Sequence, residues 1–205
     1  MGGEIKNVES GVYATGAGTL NMDDVRISNV GTGVWVKQGT LMMTNGSIGF
    51  KGNGNGKGLS IEGTANATIT GTTIRGMDGQ GTGVWMGSSK TMTMTDVTIS
   101  EVAMGVEATG TLVMNKGSIT FTSGRDNYGV KVGSGVTSAR LTDVTITGSG
   151  NGATGKGVIM ESSKTLKMTD VRISKVKMGV EATAGRLTIN GHSRITFNNG
   201  AGNYG

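Results

Sequence analysis

The chain of 205 residues has no cysteine, no proline and a single histidine. Without cysteine no disulfide framework or thiolate metal site can form, and His192 has no second imidazole with which to share a metal. A cysteine-free chain suits a reducing compartment, or export across a membrane in the unfolded state. Aromatic residues make up only 4% of the chain. No apolar run reaches the length of a membrane-spanning helix, and no secretory signal opens the chain. Met1-Gly2-Gly3 reads as a cloning remnant, so any targeting segment is expected to have been removed. The absence of proline and of a Gly-X-Y period also excludes collagen, despite 39 glycines.

What is present is a vocabulary of short strands and tight turns. Val, Ile, Thr and Met recur in brief runs broken by Gly, Asn, Asp and Ser. The hydrophobic fraction of 35% is too high and too regularly placed for a disordered linker. The net charge of +5 permits acidic partners, but the charges are interleaved along the chain. They therefore read as a solvated surface, with no nucleic acid as partner.

Repeats settle the architecture. An anchor of the form Gly-Val-x-(Val/Ala/Met/Ile) recurs at Gly11, Gly33, Gly58 (with Leu second), Gly83, Gly105, Gly129, Gly157 and Gly179, at spacings of 22 to 28 residues. Each anchor is followed by a second alternating stretch that closes on an isoleucine, at Ile27, Ile48, Ile74, Ile99, Ile119, Ile146, Ile173 and Ile195. Strand side chains alternate with period 2, so Val12/Ala14 and their counterparts share one face and bury together. Leu20/Met22 and their counterparts do the same in the second stretch, which makes most of the methionines core filler. One such coil cannot bury its apolar face alone; stacked in parallel at about 4.8 Å per coil, eight coils make a rod of roughly 40 Å. Helices are excluded, since glycine at this density costs about 1 kcal/mol per residue in helix interiors. The glycines are expected at corners that need positive φ. The predicted fold is all-β: a single-domain right-handed parallel β-helix of eight coils over residues 4–205, its hand following from the crossover rule and from the family resemblance described below.

A longer period overlies the coil. Residues 83–109 match residues 157–183 at 20 of 27 positions. Phe50, Phe121 and Phe197 recur once in three coils, and Asn-Tyr-Gly occurs at 127–129 and 203–205. Three-coil units are expected near 11–82, 83–156 and 157–205, the last incomplete, as in a piece of a longer array.

The form Gly-Val-x-Ala-x-Gly-x-Gly-Thr-Leu-x-Met-x-x-Val-x-Ile-Ser of residues 11–28 resembles passenger domains of Gram-negative autotransporters. It is most similar to the Bartonella-type passengers with pectin-lyase-like folds. The resemblance spans residues 4–205 and implies a right-handed parallel β-helix exported through a C-terminal membrane barrel. It also implies a secreted or cell-surface location, anchored at the outer membrane in the full-length protein, and no membrane insertion by this segment.

Many β-helices cleave polysaccharides, and that chemistry requires two carboxylates at fixed separation. Asp23-Asp24 is the only adjacent acidic pair. Asp24 shares its place in the repeat with Asn45, Asp96, Asp143 and Asp170, which reads as turn chemistry. No catalytic residue, metal site or cofactor is expected, and His192 reads as a solvated turn residue. Gly150–Lys156 imitates the start of a phosphate-binding loop, but Gly157 and a strand follow where Ser or Thr and a helix are needed.

The outward residues between the two inward columns of the first strand are Tyr13, Trp35, Ser60, Trp85, Glu107, Lys131, Ile159 and Glu181. They are expected to form one exposed column, with a shallow notch at Ser60. Tyr13, Trp35 and Trp85 are the candidate binding residues, since an exposed aromatic ladder suits recognition. The function expected is that of a non-enzymatic adhesin or shed virulence factor binding a host cell-surface protein or glycan. A shed effector that engages a host endothelial receptor, a polysaccharide-active enzyme and a structural stalk are the alternatives. Unpaired edges at the end coils also predict end-to-end self-association.

Overall fold

The computed structural model describes residues 2–52, 55–150, 154–198 and 202–205. Every named element is a strand, and every strand pairing is parallel. The chain winds through three faces per coil. The first face is an eight-stranded sheet built from Ser10–Ala14, Thr32–Val36, Lys57–Ile61, Thr82–Met86, Met104–Ala108, Tyr128–Val132, Lys156–Met160 and Met178–Ala182. The second and third faces are joined into one 15-stranded sheet, because Thr91–Val102 and Thr111–Thr122 run unbroken around the corner between them.

Registers place the repeat in columns. Val12 pairs with Val34, Val34 with Leu59, and Leu59 with Val84, and the column continues to Val180. The isoleucines stack in the same way along the third face, from Ile5 to Ile195. The interior is one continuous apolar column, with Leu59, Met86, Val106 and Leu112 fully buried. The methionines on inward columns are core filler, as the alternation predicts: Met86, Met92, Met114, Met160 and Met168 are all 0% exposed.

Two classes of special residue shape each coil. At the corner between the second and third faces, Asp24, Asn45, Gly71, Asp96, Lys116, Asp143, Asp170 and Gly191 all adopt φ between 50° and 66°. This left-handed conformation favours glycine, asparagine and aspartate, so the Asp24 column is a turn column, as expected.

The anchor glycines differ from expectation. None of the eight has positive φ. A Cβ at any of them would lie less than 3.0 Å from the Cγ2 of the isoleucine that closes the same coil, Ile27 against Gly11 through Ile195 against Gly179. Close packing of strand against strand, rather than a left-handed backbone, is what requires glycine there.

Every third coil departs from the regular ladder. Register shifts fall between Ser28 and Val30, between Ile99 and Val102, and between Ile173 and Val176. Asn29, Glu101 and Lys175 take φ of 53° to 55° at these bulges, which turn the chain directly into the first face. The aromatic fillers follow the same period. Phe50 and Phe121 are fully buried, and each packs where Gly81 and Gly155 respectively leave no side chain.

Candidate functional site

On the first face the outward register runs Tyr13–Trp35–Ser60–Trp85–Glu107–Lys131–Ile159–Glu181, as the repeat predicts. Its exposure is uneven, which corrects the expectation of one exposed column. Tyr13 is 53% exposed, Trp35 and Trp85 are half-buried, and Ser60 and Ile159 are buried. Strands about 4.8 Å apart bring each side chain against its neighbours in the ladder, so Ser60 is flanked by Trp35 and Trp85, and Ile159 by Lys131 and Glu181. The notch expected at Ser60 is absent: its hydroxyl is buried and donates to Glu62 Oε1 at 3.0 Å.

Tyr13 and Trp35 meet with ring centroids 4.8 Å apart and planes tilted by 56°. Trp85 stands two coils beyond Trp35, and its indole lies across Gly87, where a Cβ would strike the ring. Lysines complete the group. Lys37 Nζ lies 4.7 Å from the Trp35 ring centroid and 5.8 Å from that of Tyr13, and Lys57 Nζ lies 5.2 Å from that of Trp85. These distances are within cation–π range. Trp35 Nε1 is buried and has no hydrogen-bond partner among the described residues.

The other half of the face is self-neutralised. Tyr128 donates its hydroxyl to Glu107 Oε2 at 2.8 Å, Lys131 pairs with Glu161 at 3.3 Å, and Lys156 pairs with Glu181. Burial first, then the Glu107 carboxylate, hold the Tyr128 phenol far above its ordinary pKa. The lysines of the aromatic half have no carboxylate within salt-bridge distance among the described residues. Sequence reading found the rings and missed the lysines. Lys37 sits just beyond the strand Thr32–Val36, and Lys57 stands in the neighbouring outward column, so neither lies in the column of the rings.

Elsewhere, the candidates for chemistry stay apart. No group of three His, Cys, Asp or Glu residues suited to a metal occurs among the described residues. The His192 side chain is fully exposed, 3.5 Å from Asp170 Oδ1, in the turn that Gly191 opens. The phosphate-loop-like stretch 150–156 includes residues 151–153, which lie outside the described residues. Its last residue, Lys156, opens a strand.

A family model for the right-handed beta helix region matches residues 4–154 and again 57–204. No curated protein and no solved structure matches the chain significantly.

Proposed function

From the premise that this chain belongs to the right-handed beta helix family, we propose that it is a non-enzymatic binding scaffold. It serves as a segment of an autotransporter passenger that is displayed on the cell surface or shed, and that engages a host cell-surface partner. The observation that carries this reading is the Tyr13–Trp35–Trp85 ladder with its two lysines, which stand on rings while the rest of the face is paired with itself. Half-buried indoles held rigid by a sheet expose apolar area at small entropic cost, the character of binding hot spots. The carboxylates that flank the ladder, Glu62 and Glu107, are each engaged by a hydroxyl of the same face, Ser60 and Tyr128.

The test is cell binding by the Trp35→Thr/Trp85→Thr double variant. Threonine is a good strand former, and both rings lie outside the core, so the fold survives. If each ring supplies over about 1 kcal/mol, binding to host cells falls by roughly tenfold or more. Wild-type binding by a folded double variant refutes this assignment.

A further inference from the structure

The identity of the partner's chemistry follows from how the ladder is charged. On its N-terminal half, the first face offers alternating apolar rings and ammonium groups, in the order Tyr13, Trp35 with Lys37, Lys57, then Trp85. An ammonium over a ring is a weak arrangement at an exposed site. A carboxylate arriving from outside offers each lysine a charge-assisted hydrogen bond, which is stronger. Trp35 carries a second sign of an unfilled role. Its Nε1–H is buried without an acceptor beside Tyr13 and Lys37, and buried polar groups ordinarily have partners.

We propose that this half-face binds an extended acidic protein segment in which carboxylates alternate with apolar side chains. Lys37 and Lys57 take the carboxylates, and Tyr13, Trp35 and Trp85 take the apolar groups. Spanning the coils from Tyr13 to Trp85 requires about 14 Å, roughly four residues of extended chain. The hydroxyls between the rings argue for a peptide over a sugar chain. Ser60 and Thr82 are buried, at 3% and 7% exposure, so they are not presented to sugar hydroxyls. Glu62 beside the patch accepts from Ser60 and keeps its negative charge, so the partner's carboxylates fall at Lys37 and Lys57 and away from Glu62. The inference rests on the binding role given above to the aromatic ladder and adds the charge and class of the partner.

The probe is a fluorescent twelve-residue peptide of alternating Glu and Leu, with its Gln-for-Glu counterpart and dextran sulfate in parallel. Anisotropy is expected to show binding of the acidic peptide that weakens at least tenfold in the Lys37→Gln/Lys57→Gln variant and weakens with added salt. The Gln peptide is expected to bind at least tenfold more weakly than the acidic one. Circular dichroism melts of the variant should match wild type, because both ammonium groups lie outside the core. Equal binding of the two peptides overturns the proposal, as does indifference to the lysine changes. Lysine-dependent capture of dextran sulfate without capture of the peptide also overturns it, in favour of an anionic glycan. The two readings separate in cell binding. Loss with the tryptophan variant but not with the lysine variant removes only the acidic partner, whereas no loss with the tryptophan variant removes the ladder itself.

Discussion

One methyl group decides whether a coil closes. At Gly105 an added Cβ would press on Ile119 Cγ2 and on the Gly129 carbonyl oxygen, both at less than 3.0 Å. The carbonyl belongs to the ladder and cannot retreat without breaking it, so Gly105→Ala should destabilise by about 1–3 kcal/mol through overpacking. The second substitution Ile119→Ala vacates part of the same space, so the two losses should not add, and the double variant should be more stable than their sum predicts. Strict additivity in thermal melts would mean that the isoleucine is not the obstacle. The opposite corner behaves in the reverse way. Asp143 has φ of 53°, and its pairing with Arg172 at 3.9 Å is exposed. Asp143→Gly should therefore be close to neutral or stabilising, because a glycine meets no Cβ penalty there. Asp143→Val should cost on the order of 1–2 kcal/mol for placing a β-branched residue in the left-handed region. Equal melting temperatures for the two variants would count against backbone strain as the reason for aspartate.

Strand against strand, the first face links coils through side chains as well as through the ladder. Tyr128 and Glu107 stand on adjacent strands, and the phenol is held protonated by burial and by the carboxylate that accepts from it. Its folded pKa lies above the unfolded one, so the folded state keeps a proton that the unfolded chain releases above about pH 10. The resulting stability is complete below that pH and is lost as pH rises past it, at about 1.4 kcal/mol per pH unit. Wild type should thus lose stability between pH 10 and 11 faster than Tyr128→Phe does. Parallel pH–stability curves for the two would sink the assignment. At this scale the sequence was informative wherever a residue type marks a column. The inward pairs, the closing isoleucines and the Asp24 corner all stand where alternation and turn preference place them. The anchor glycines were found at the right positions for the wrong reason, because positive φ and steric closeness select the same residue. Contacts between columns were harder to read. Nothing in the string places Lys37 over Trp35, or hides Ser60 beneath its neighbours. Ser88 and Ser162, each in a Ser-Ser-Lys run, are another such case. Each is buried, donates to a carbonyl of the preceding coil (Ala65 and Val136) and accepts from the amide two residues on.

A stack of coils is held together only by neighbours, so position along the axis should decide how far damage spreads. Val106 and Val180 occupy the same inward column of the first face, in coils of matching sequence, yet their surroundings differ. Val106 is fully buried with a coil on each side, while Val180 is partly buried near the C-terminal end. Beyond Val180 the described chain offers only the Tyr204 bridge to Met178, and in that last coil Ile189 and Phe197 are 43% and 41% exposed. An aspartate at position 106 would strand a carboxylate with no partner in the apolar column, at a cost of several kcal/mol, and would interrupt the stack at its middle. The coils on either side would then have to stand as shorter arrays, each with a new open edge. At position 180 the carboxylate can turn toward water, and only the last coil is lost. Val106→Asp is therefore expected to lower the melting temperature of the whole chain and broaden the transition. Val180→Asp should leave the main transition near that of wild type and merely raise hydrogen exchange over residues 178–198. Equal depression of the melting temperature by both substitutions would show that the rod unfolds as one unit, with no dependence on where along its axis the core is broken.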